Sequence, residues 1–252
     1  MTITSTHNYL ILYWIIFAIL IFPALFFVKQ PYGKHFRSDW GPSISNRLGW
    51  IIMEMPSLII FSYFFIVSRN FTPIIIFLFA LWFIHYFNRT LVFPFRIKTR
   101  GKKMPLIIVL FAIIFNIINA SLNGIYLSKT LGFPYFLTSD FIRFGLGFLL
   151  FASGMIINFS SDNLLIALRK STINGYQIPQ KGMFKWVSCP NYLGEIIEWI
   201  GFAVMAWNLA ALSFAIWTIV NLLPRAIDHH KWYRHYFADY PKNRKAIIPF
   251  IL

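Results

Sequence analysis

The chain has few charged side chains for its length, and this scarcity excludes most soluble classes of protein. Charged residues make up 12% of its 252 residues, against roughly a quarter in a typical soluble domain. Its single cysteine, Cys189, excludes an intrachain disulfide framework and a cysteine-rich metal site. The sequence contains no GxGxxG motif and no GxxxxGKS or GxxxxGKT motif, so neither a Rossmann domain nor a P-loop is predicted.

What the sequence does contain is long apolar runs, which predict an all-α, polytopic integral membrane protein. Hydrophobic residues account for 58% of the chain, and the mean hydropathy is +0.63. A bilayer core needs roughly 20 apolar residues in a helix. A run at 195–223 is too long for one span and contains Asn208, so we interpret it as two helices joined by a tight turn, with one long helix as the alternative. The other runs occupy residues 8–28, 48–68, 73–93, 105–125 and 141–161, which gives about seven spans in a single domain covering residues 1–252.

The distribution of basic residues predicts how the protein is oriented in the membrane. The chain has 23 Lys and Arg against 8 Asp and Glu, for a net charge of +15. The basic residues concentrate after spans 1, 3 and 5 and in the tail after span 7, whereas the other two sizeable connections offer only Arg69 and Lys129. Cytoplasmic loops carry the excess of Lys and Arg. We therefore expect the N-terminus outside and the C-terminal tail in the cytosol, and we expect no nucleic-acid partner.

All three glutamates of the chain lie in apolar runs. The first is in WIIMEMPSLIIFSYFF, at residues 50–65, and the others are Glu195 and Glu198. Ionisable residues inside a span are costly and usually face a cavity or a partner, so each of the three is a candidate functional residue. Glu195 and Glu198 share a helix face, and for them a structural hydrogen bond or ion pair between helices is an equally good interpretation.

Further polar residues stand at the ends of the apolar runs. Span 3 ends in HYFNRT, where Tyr86 is either an interfacial residue or a partner of Glu54. Span 5 ends with Asn158 and Asp162 on one helix face, as a site or as a polar helix end. The following segment, LRKSTINGYQIPQKGMFKWVSCPNYLGE, is interpreted as a long functional loop that includes Arg169, Tyr176 and Asn191.

The tail after the last span carries basic and aromatic residues at helical spacing. Arg225, His229 and Tyr233 recur every four residues, so a helix would present them on one side. Pro241 is expected to interrupt that helix, so that the chain turns back and brings Arg244 near Arg225. The alternative is an amphipathic helix attracted to anionic lipid. Two adjacent histidines at 229 and 230 lack a carboxylate or cysteine at ligand spacing, and we expect no metal site.

Two C-terminal segments closely resemble the steroid 5α-reductases. They are QIPQKGMFKWVSCPNYLGEIIEWIGFA and RAIDHHKWYRHYFADYPKNRKAIIPFIL, and YGKH at 32–35, MEMPS at 53–57 and HYFNRT at 85–90 follow the same order as in that family. The resemblance implies a seven-helix membrane enzyme that reduces the C4–C5 double bond of 3-oxo-Δ4 steroids with NADPH. It also suggests a bacterial member in the inner membrane, or a eukaryotic one in the endoplasmic reticulum, and we expect a monomer.

The resemblance also implies roles for individual residues. Glu54 and Tyr86 would bind the 3-oxo group of the substrate. Two positions depart from the family, which has arginine at Lys102 and, in its mammalian members, glutamine at Met53. Contacts with NADPH would fall on Lys102, Asn158, Asp162, Arg169, Tyr176, Asn191, Arg225, His229, Tyr233 and Arg244.

The reaction explains why such a pair would be needed inside a membrane. Hydride addition to C5 develops negative charge on the 3-oxo oxygen, and a donor aimed at that oxygen stabilises the transition state more than the ground state. Tyr86 can donate its phenol proton, and Glu54 can orient the phenol or donate itself when protonated.

Three other functions are compatible with parts of the sequence. Other membrane sterol or enoyl-lipid reductases also use NADPH, and an isoprenylcysteine-type methyltransferase with a similar tail would use S-adenosylmethionine. A lipid-binding or transport protein is disfavoured. The polar residues of this sequence are expected to cluster at one membrane face, whereas a transport path needs polar groups on both sides of the midplane.

Overall fold

A computed structural model of the chain describes residues 3–28, 31, 36–99, 101–129, 138–171 and 176–252. The YGKH stretch at 32–35 lies outside the described residues. Within them the protein is almost entirely helical, with one short antiparallel pair of strands, β1 (Ser43–Ser45) and β2 (Lys103–Pro105). The helices are α1 (Ile3–Ile21), α2 (Asn46–Ser68), α3 (Pro73–Phe87), α4 (Phe93–Arg96), α5 (Leu106–Lys129), α6 (Thr138–Ser171), α7 (Pro190–Ala206) and α8 (Leu209–Tyr236).

Length and composition confirm the predicted all-α membrane class. Among the described residues, five helical segments are long and apolar enough to cross a bilayer: Asn46–Ser68, Pro73–Arg96, Leu106–Lys129, Asp140–Arg169 and Leu209–Tyr236. The segment Pro73–Arg96 contains α3, a π-helical turn at Asn88–Val92 and α4. Helices α1 and α7 are shorter, so the count of seven spans stays a prediction, as does the orientation.

The long apolar run near Asn208 does form two helices, as predicted. Helix α7 ends at Ala206, and Trp207 takes a left-handed conformation with φ of 46°. The side chain of Asn208 then accepts a hydrogen bond from the Ala211 N–H at 2.8 Å and caps α8. The interpretation as a single long helix is wrong.

Four predicted boundaries differ from the structure. Helix α1 ends at Ile21 rather than near residue 28, because Pro23 follows and cannot continue a helix. Helix α6 runs past residue 161 to Ser171, and α7 begins at Pro190 rather than near residue 195, so Arg169 and Asn191 lie on helices and not in a loop. Helix α8 ends at Tyr236, before Pro241 is reached, so this proline does not interrupt it.

The chain divides into two compact units, which we describe separately. Unit 1 comprises Met1–Lys29 and Thr138–Leu252, and unit 2 comprises Gln30–Leu137. In unit 2, α2 packs against α3 and α5. The single-domain organisation expected from the sequence stays a prediction.

Helices α6 and α7 of unit 1 approach each other through glycines. A Cβ atom added at Gly147, Gly154, Gly194 or Gly201 would lie closer than 3.0 Å to the backbone of the facing helix. Small residues at such positions let helix backbones approach closely in membranes, where packing rather than the hydrophobic effect holds helices together. Helix α8 packs against α7 and also against α1, where the indole of Trp217 donates to the Trp14 carbonyl at 3.1 Å.

Candidate active site

Glu54 lies within helix α2 and is contacted by an asparagine of the neighbouring helix. The side-chain amide of Asn116, on α5, is 3.5 Å from Oε2 of Glu54 and 2.5 Å from the carbonyl oxygen of Met53. Asn116 is buried, and Glu54 is partly buried. A carboxyl group is thus held by a cross-helix polar contact inside an apolar segment.

Pro56 lies in the same turn of α2 as Met53 and Glu54. A proline inside a helix has no N–H and pushes away the carbonyl of the residue four positions earlier, here Ile52, which disturbs the hydrogen bonds of that turn. The Asn116 amide donates to the carbonyl of Met53, which follows Ile52 and directly precedes Glu54 in the chain.

Tyr86 lies at the same level of unit 2 as Glu54. The indole of Trp82, on α3, donates to the carbonyl of Ser57 on α2 at 3.1 Å. The connection between these two helices is short, so they are antiparallel. One turn toward the C-terminus of α3, from Trp82 to Tyr86, therefore corresponds to one turn toward the N-terminus of α2, from Ser57 to Glu54. Tyr86 is 4% exposed and packs against the Trp82 ring at 5.1 Å.

The third helix continues into a π-helical turn immediately after Tyr86 and Phe87. Such turns are rare and are frequently found at functional sites. Here the guanidinium of Arg89 lies over the rings of Trp50 and Phe93, at 4.8 and 5.1 Å. Trp50 is one helical turn before Glu54.

In unit 1, four polar side chains of helices α6 and α7 form a hydrogen-bonded group, the α6–α7 polar cluster. Its members are Asn158, Asp162, Asn191 and Glu195. The Asn158 amide donates to the Asn191 carbonyl at 2.9 Å and lies 3.4 Å from the Glu195 carboxylate. The Asn191 amide donates to Asp162 at 3.2 Å. All four residues were candidates from the sequence, and the structure brings them together.

The glycine contacts account for the cluster. The Cβ position of Gly194 faces the backbone of Asn158, and that of Gly154 faces the backbone of Glu198. Short side chains such as asparagine can then reach across the interface and bond to the opposite backbone. Glu195 forms part of this contact, which agrees with its interpretation as a polar link between helices. Glu198 is fully buried.

The residues predicted to share one side of α8 are Arg225, His229 and Tyr233, and each has a partner within unit 1. Arg225 donates to the Asn221 side chain at 3.1 Å, and His229 Nε2 is 3.2 Å from the Tyr192 hydroxyl. The Tyr233 ring stacks on Tyr240, with the centroids 5.4 Å apart.

The chain after α8 folds back onto the segment before α7. The N–H of Lys245 donates to the Trp186 carbonyl, and the N–H groups of Ser188 and Cys189 donate to the carbonyls of Lys245 and Ala246. Ile247 is 1% exposed and packs with Cys189. The tail therefore turns back, as predicted, although the turn does not depend on Pro241 ending the helix.

Arg244 is the most buried cation of this returning segment. It is 4% exposed, its guanidinium lies 4.9 Å from the Tyr240 ring, and Nη1 is 3.4 Å from the Tyr240 hydroxyl. Among the residues that the structure describes, no carboxylate pairs with Arg244, and its Nε has no hydrogen-bond partner. A buried guanidinium of this kind is suited to an anionic group such as a phosphate.

The remaining candidates lie at the edges of these groups. The Arg169 guanidinium is 5.8 Å from the ring of Tyr176, which meets Trp232 edge-on at 4.9 Å. Lys102 belongs to unit 2, where its carbonyl accepts from the Asn46 N–H at 2.9 Å. Met53, in place of the mammalian glutamine, is buried in an apolar cluster with Met104 and Val109.

Two sets of residues in these sites were not predicted from the sequence. The sequence does carry a signal for Asn116, because asparagines 116, 119 and 123 recur on one side of an otherwise apolar span. Ser188, His230 and Tyr240 form a group that we call the tail anchor. The Ser188 hydroxyl is 2.6 Å from His230 Nδ1, 2.7 Å from the Tyr240 hydroxyl and 3.1 Å from the Lys245 carbonyl. No spacing in the sequence links these three residues.

These features define an integral membrane protein that holds a carboxyl group within an apolar helix and a buried arginine in its folded-back tail. The family described as 3-oxo-5-alpha-steroid 4-dehydrogenase matches residues 102–252. The chain is 41% identical to the steroid 5-alpha-reductase DET2 of Solanum lycopersicum, over 98% of this chain and 97% of that protein. It is 42% identical to the human 3-oxo-5-alpha-steroid 4-dehydrogenase 2, over 89% and 90% of the two chains. The protein belongs to the 3-oxo-5-alpha-steroid 4-dehydrogenase family, which confirms the resemblance drawn from its motifs.

Proposed function

We propose that the protein reduces the C4–C5 double bond of 3-oxo-Δ4 steroids with NADPH. Its tomato relative is named a steroid 5-alpha-reductase, and its human relative is named for the reverse reaction, 4-dehydrogenation of a 3-oxo-5-alpha-steroid; they align with 98% and 89% of the chain. The observation that carries the chemistry is the placement of Glu54, a carboxyl group hydrogen-bonded to Asn116 in an apolar helix. Such a group is costly to keep in a membrane unless it has a function there.

Glu54 and Tyr86 are proposed to polarise the 3-oxo group. Negative charge develops on that oxygen as C5 is attacked, and a hydrogen-bond donor held in a dry site stabilises it strongly. Tyr86 donates a hydrogen bond from its phenol to the oxygen of the developing enolate, while Glu54 orients the phenol or, when protonated, donates a second hydrogen bond. C4 then takes a proton from water.

The residues of unit 1 suit a nucleotide cofactor. Bound NADPH supplies the hydride. Arg244 offers a buried guanidinium to a phosphate, and Asn158 offers Oδ1, which is buried and has no hydrogen-bond partner among the described residues. The other residues proposed to hold NADPH are Asp162, Arg169, Tyr176, Asn191, Arg225, His229, Tyr233 and, in unit 2, Lys102. Because the 2′-phosphate needs cationic partners, NADPH is expected to be preferred over NADH.

The membrane setting fits a lipid-soluble substrate. A steroid enters from the hydrocarbon phase, and five apolar helical segments provide the surface for that phase. We propose that the cofactor binds from the cytosolic side, because the predicted orientation has the basic tail on that side.

The test is a substrate panel with the purified protein in detergent. It contains 3-oxo-Δ4 steroids, other enone sterols and enoyl-CoA lipids, each with NADPH deuterated at the transferred position, with NADH, and with S-adenosylmethionine. The proposal predicts steroid products that carry one deuterium at C5, with higher kcat/KM for NADPH than for NADH. Reduction of enoyl lipids alone, or methyl transfer, would reject it in favour of the corresponding rival.

A further inference from the structure

We infer that Asn116 is a positioning residue that fixes Glu54 for the reaction. The inference rests on the proposed function and adds a residue that the sequence motifs do not contain. It starts from the double contact of one amide group, which reaches both the Met53 carbonyl and the Glu54 carboxyl group.

The two contacts act on the same short stretch of α2. The bond to Met53, at 2.5 Å, ties the backbone directly before Glu54 to helix α5. The contact with Oε2, at 3.5 Å, lies at the outer limit of a hydrogen bond and shortens with a small rotation of either side chain. Asn116 therefore restrains both the helix that carries Glu54 and the carboxyl group itself.

Asn123 of α5 shows that this arrangement is not shared by every asparagine of the helix. The Asn123 amide donates to the Asn119 carbonyl at 3.0 Å. This bond stays within α5, as expected for a polar side chain that satisfies itself in an apolar span. The Asn116 amide instead reaches across to α2, beside the turn disturbed by Pro56.

Asn116 acts through Glu54 and not on the substrate. Its loss leaves the Met53 carbonyl and the carboxyl group without this donor, so Glu54 samples more orientations. Outer-shell groups that orient metal ligands typically contribute about 10- to 100-fold to activity, and we expect an effect of the same order from Asn116 on Glu54. The affinity for NADPH, which is proposed to bind through other residues, stays unchanged.

The first test compares Asn116→Leu with the matched control Asn123→Leu, which removes a buried amide of the same helix that bonds only within it. Asn116→Leu is expected to lower kcat for a 3-oxo-Δ4 steroid roughly 10- to 100-fold, with NADPH Kd nearly unchanged. Asn123→Leu is expected to retain wild-type kcat per folded molecule. Equal kcat in the two variants would overturn the inference.

A second variant separates positioning from packing. In Asn116→Asp the ionised carboxylate has no proton to donate to Met53, whereas its protonated form has one. The ratio of variant to wild-type turnover is expected to rise as the pH falls from about 8 to about 5. A ratio that does not change with pH would show that Asn116 only fills space.

The third measurement does not require turnover, so it separates this inference from the proposed function. Infrared difference spectra between the protein and Glu54→Gln isolate the carboxyl bands of Glu54. These bands are expected to shift in Asn116→Leu and to keep their frequencies in Asn123→Leu. If the wild type reduces no steroid, the proposed function fails, and a shift still supports the contact. Identical bands in both variants would reject the positioning role.

Discussion

The hydroxyl of Ser188 lies 2.6 Å from Nδ1 of His230 and joins the segment before α7 to helix α8. The same hydroxyl reaches the Tyr240 phenol and the carbonyl of Lys245. One small side chain thus connects two helices and the returning tail, and it does so next to Arg244. We expect the tail anchor to fix the position of that guanidinium.

Ser188→Ala is accordingly expected to weaken NADPH binding about tenfold, because removal of one buried hydrogen-bond partner costs about 1–3 kcal/mol. Calorimetric titration of NADPH in detergent measures this loss. Ser153→Ala is the control, since its hydroxyl bonds within α6 at an exposed position. An affinity in Ser188→Ala equal to that of the control would mean that the tail anchor has no part in binding.

Tyr240 is expected to make the stability of the folded protein depend on pH in the alkaline range. Burial raises the pKa of the Tyr240 phenol, against smaller lowering effects of its hydrogen bonds with Ser188 and Arg244. The folded state then retains the phenol proton to higher pH than the unfolded state, in which the pKa of tyrosine is about 10. The contribution of Tyr240 to the free energy of unfolding is therefore constant below about pH 10 and falls as the pH rises further.

Tyr240→Phe removes this titration, although it also loses the bond to Ser188. We expect the variant to have a lower Tm than the wild type near neutral pH and a shallower decline of Tm between about pH 9 and 11. Tyr236→Phe, at an exposed position, serves as the control and should follow the wild type. Parallel declines in Tyr240→Phe and the wild type would contradict the assignment.

Packing of α6 against α7 is expected to depend on its glycines. Gly154→Ala and Gly201→Ala place a methyl group against the opposite backbone, and overpacking of this kind costs about 1–3 kcal/mol. Both variants should show a lower Tm and weaker NADPH binding, because the α6–α7 polar cluster depends on the same close approach. Gly145→Ala is the matched control, since its Cβ position is open. Unchanged stability in Gly154→Ala would contradict the described interface.

Helix existence and the break near Asn208 were predictable from the sequence because both follow from local chemistry. Apolar length predicts a span, and Asn208 stands near the middle of a run that is too long for one span and is a residue type favoured at helix N-caps. The length of α6 was not predictable from hydropathy, since the helix continues past its apolar part to Ser171. The end of α8 at Tyr236 was not predictable either, because no glycine or proline stands between Tyr236 and Pro241 to signal it.

The tail also allows a test of whether its charges act individually. Arg225→Lys and Arg244→Lys are expected to weaken NADPH binding measurably, because a lysine cannot reproduce the planar fork that a guanidinium offers to phosphate. Lys231→Ala and Lys242→Ala, at exposed positions, should bind NADPH like the wild type. Truncation after Tyr240 should abolish activity, since it removes Arg244 and the strand-like pairing with Trp186.

Calorimetric titration across this set distinguishes a cofactor site from a surface for anionic lipid. Charges that attract lipid are interchangeable, so equal affinities in all four variants would leave the tail as a membrane-surface anchor.

The candidate site was predictable only in part. Glu54, Asn158 and Asp162 were conspicuous as polar residues in apolar runs. Asn116 carried the same signal, but its importance depends on which helix α5 faces, and this is set by the packing of Gly124 against Phe64 and of Val109 against Met53. Ser188 is an ordinary serine in the sequence, and its role appears only when residues 188, 230 and 240 meet.

Single-turnover reduction of a 3-oxo-Δ4 steroid with saturating NADPH measures directly whether Glu54 and Tyr86 activate the 3-oxo group. Glu54→Gln and Tyr86→Phe are each expected to slow reduction about 10²- to 10³-fold, the usual effect of losing one donor to a developing oxyanion. NADPH Kd should stay nearly unchanged, and Tyr63→Phe, at an exposed position on α2, should react at the wild-type rate. A wild-type rate in either Glu54→Gln or Tyr86→Phe would contradict the account.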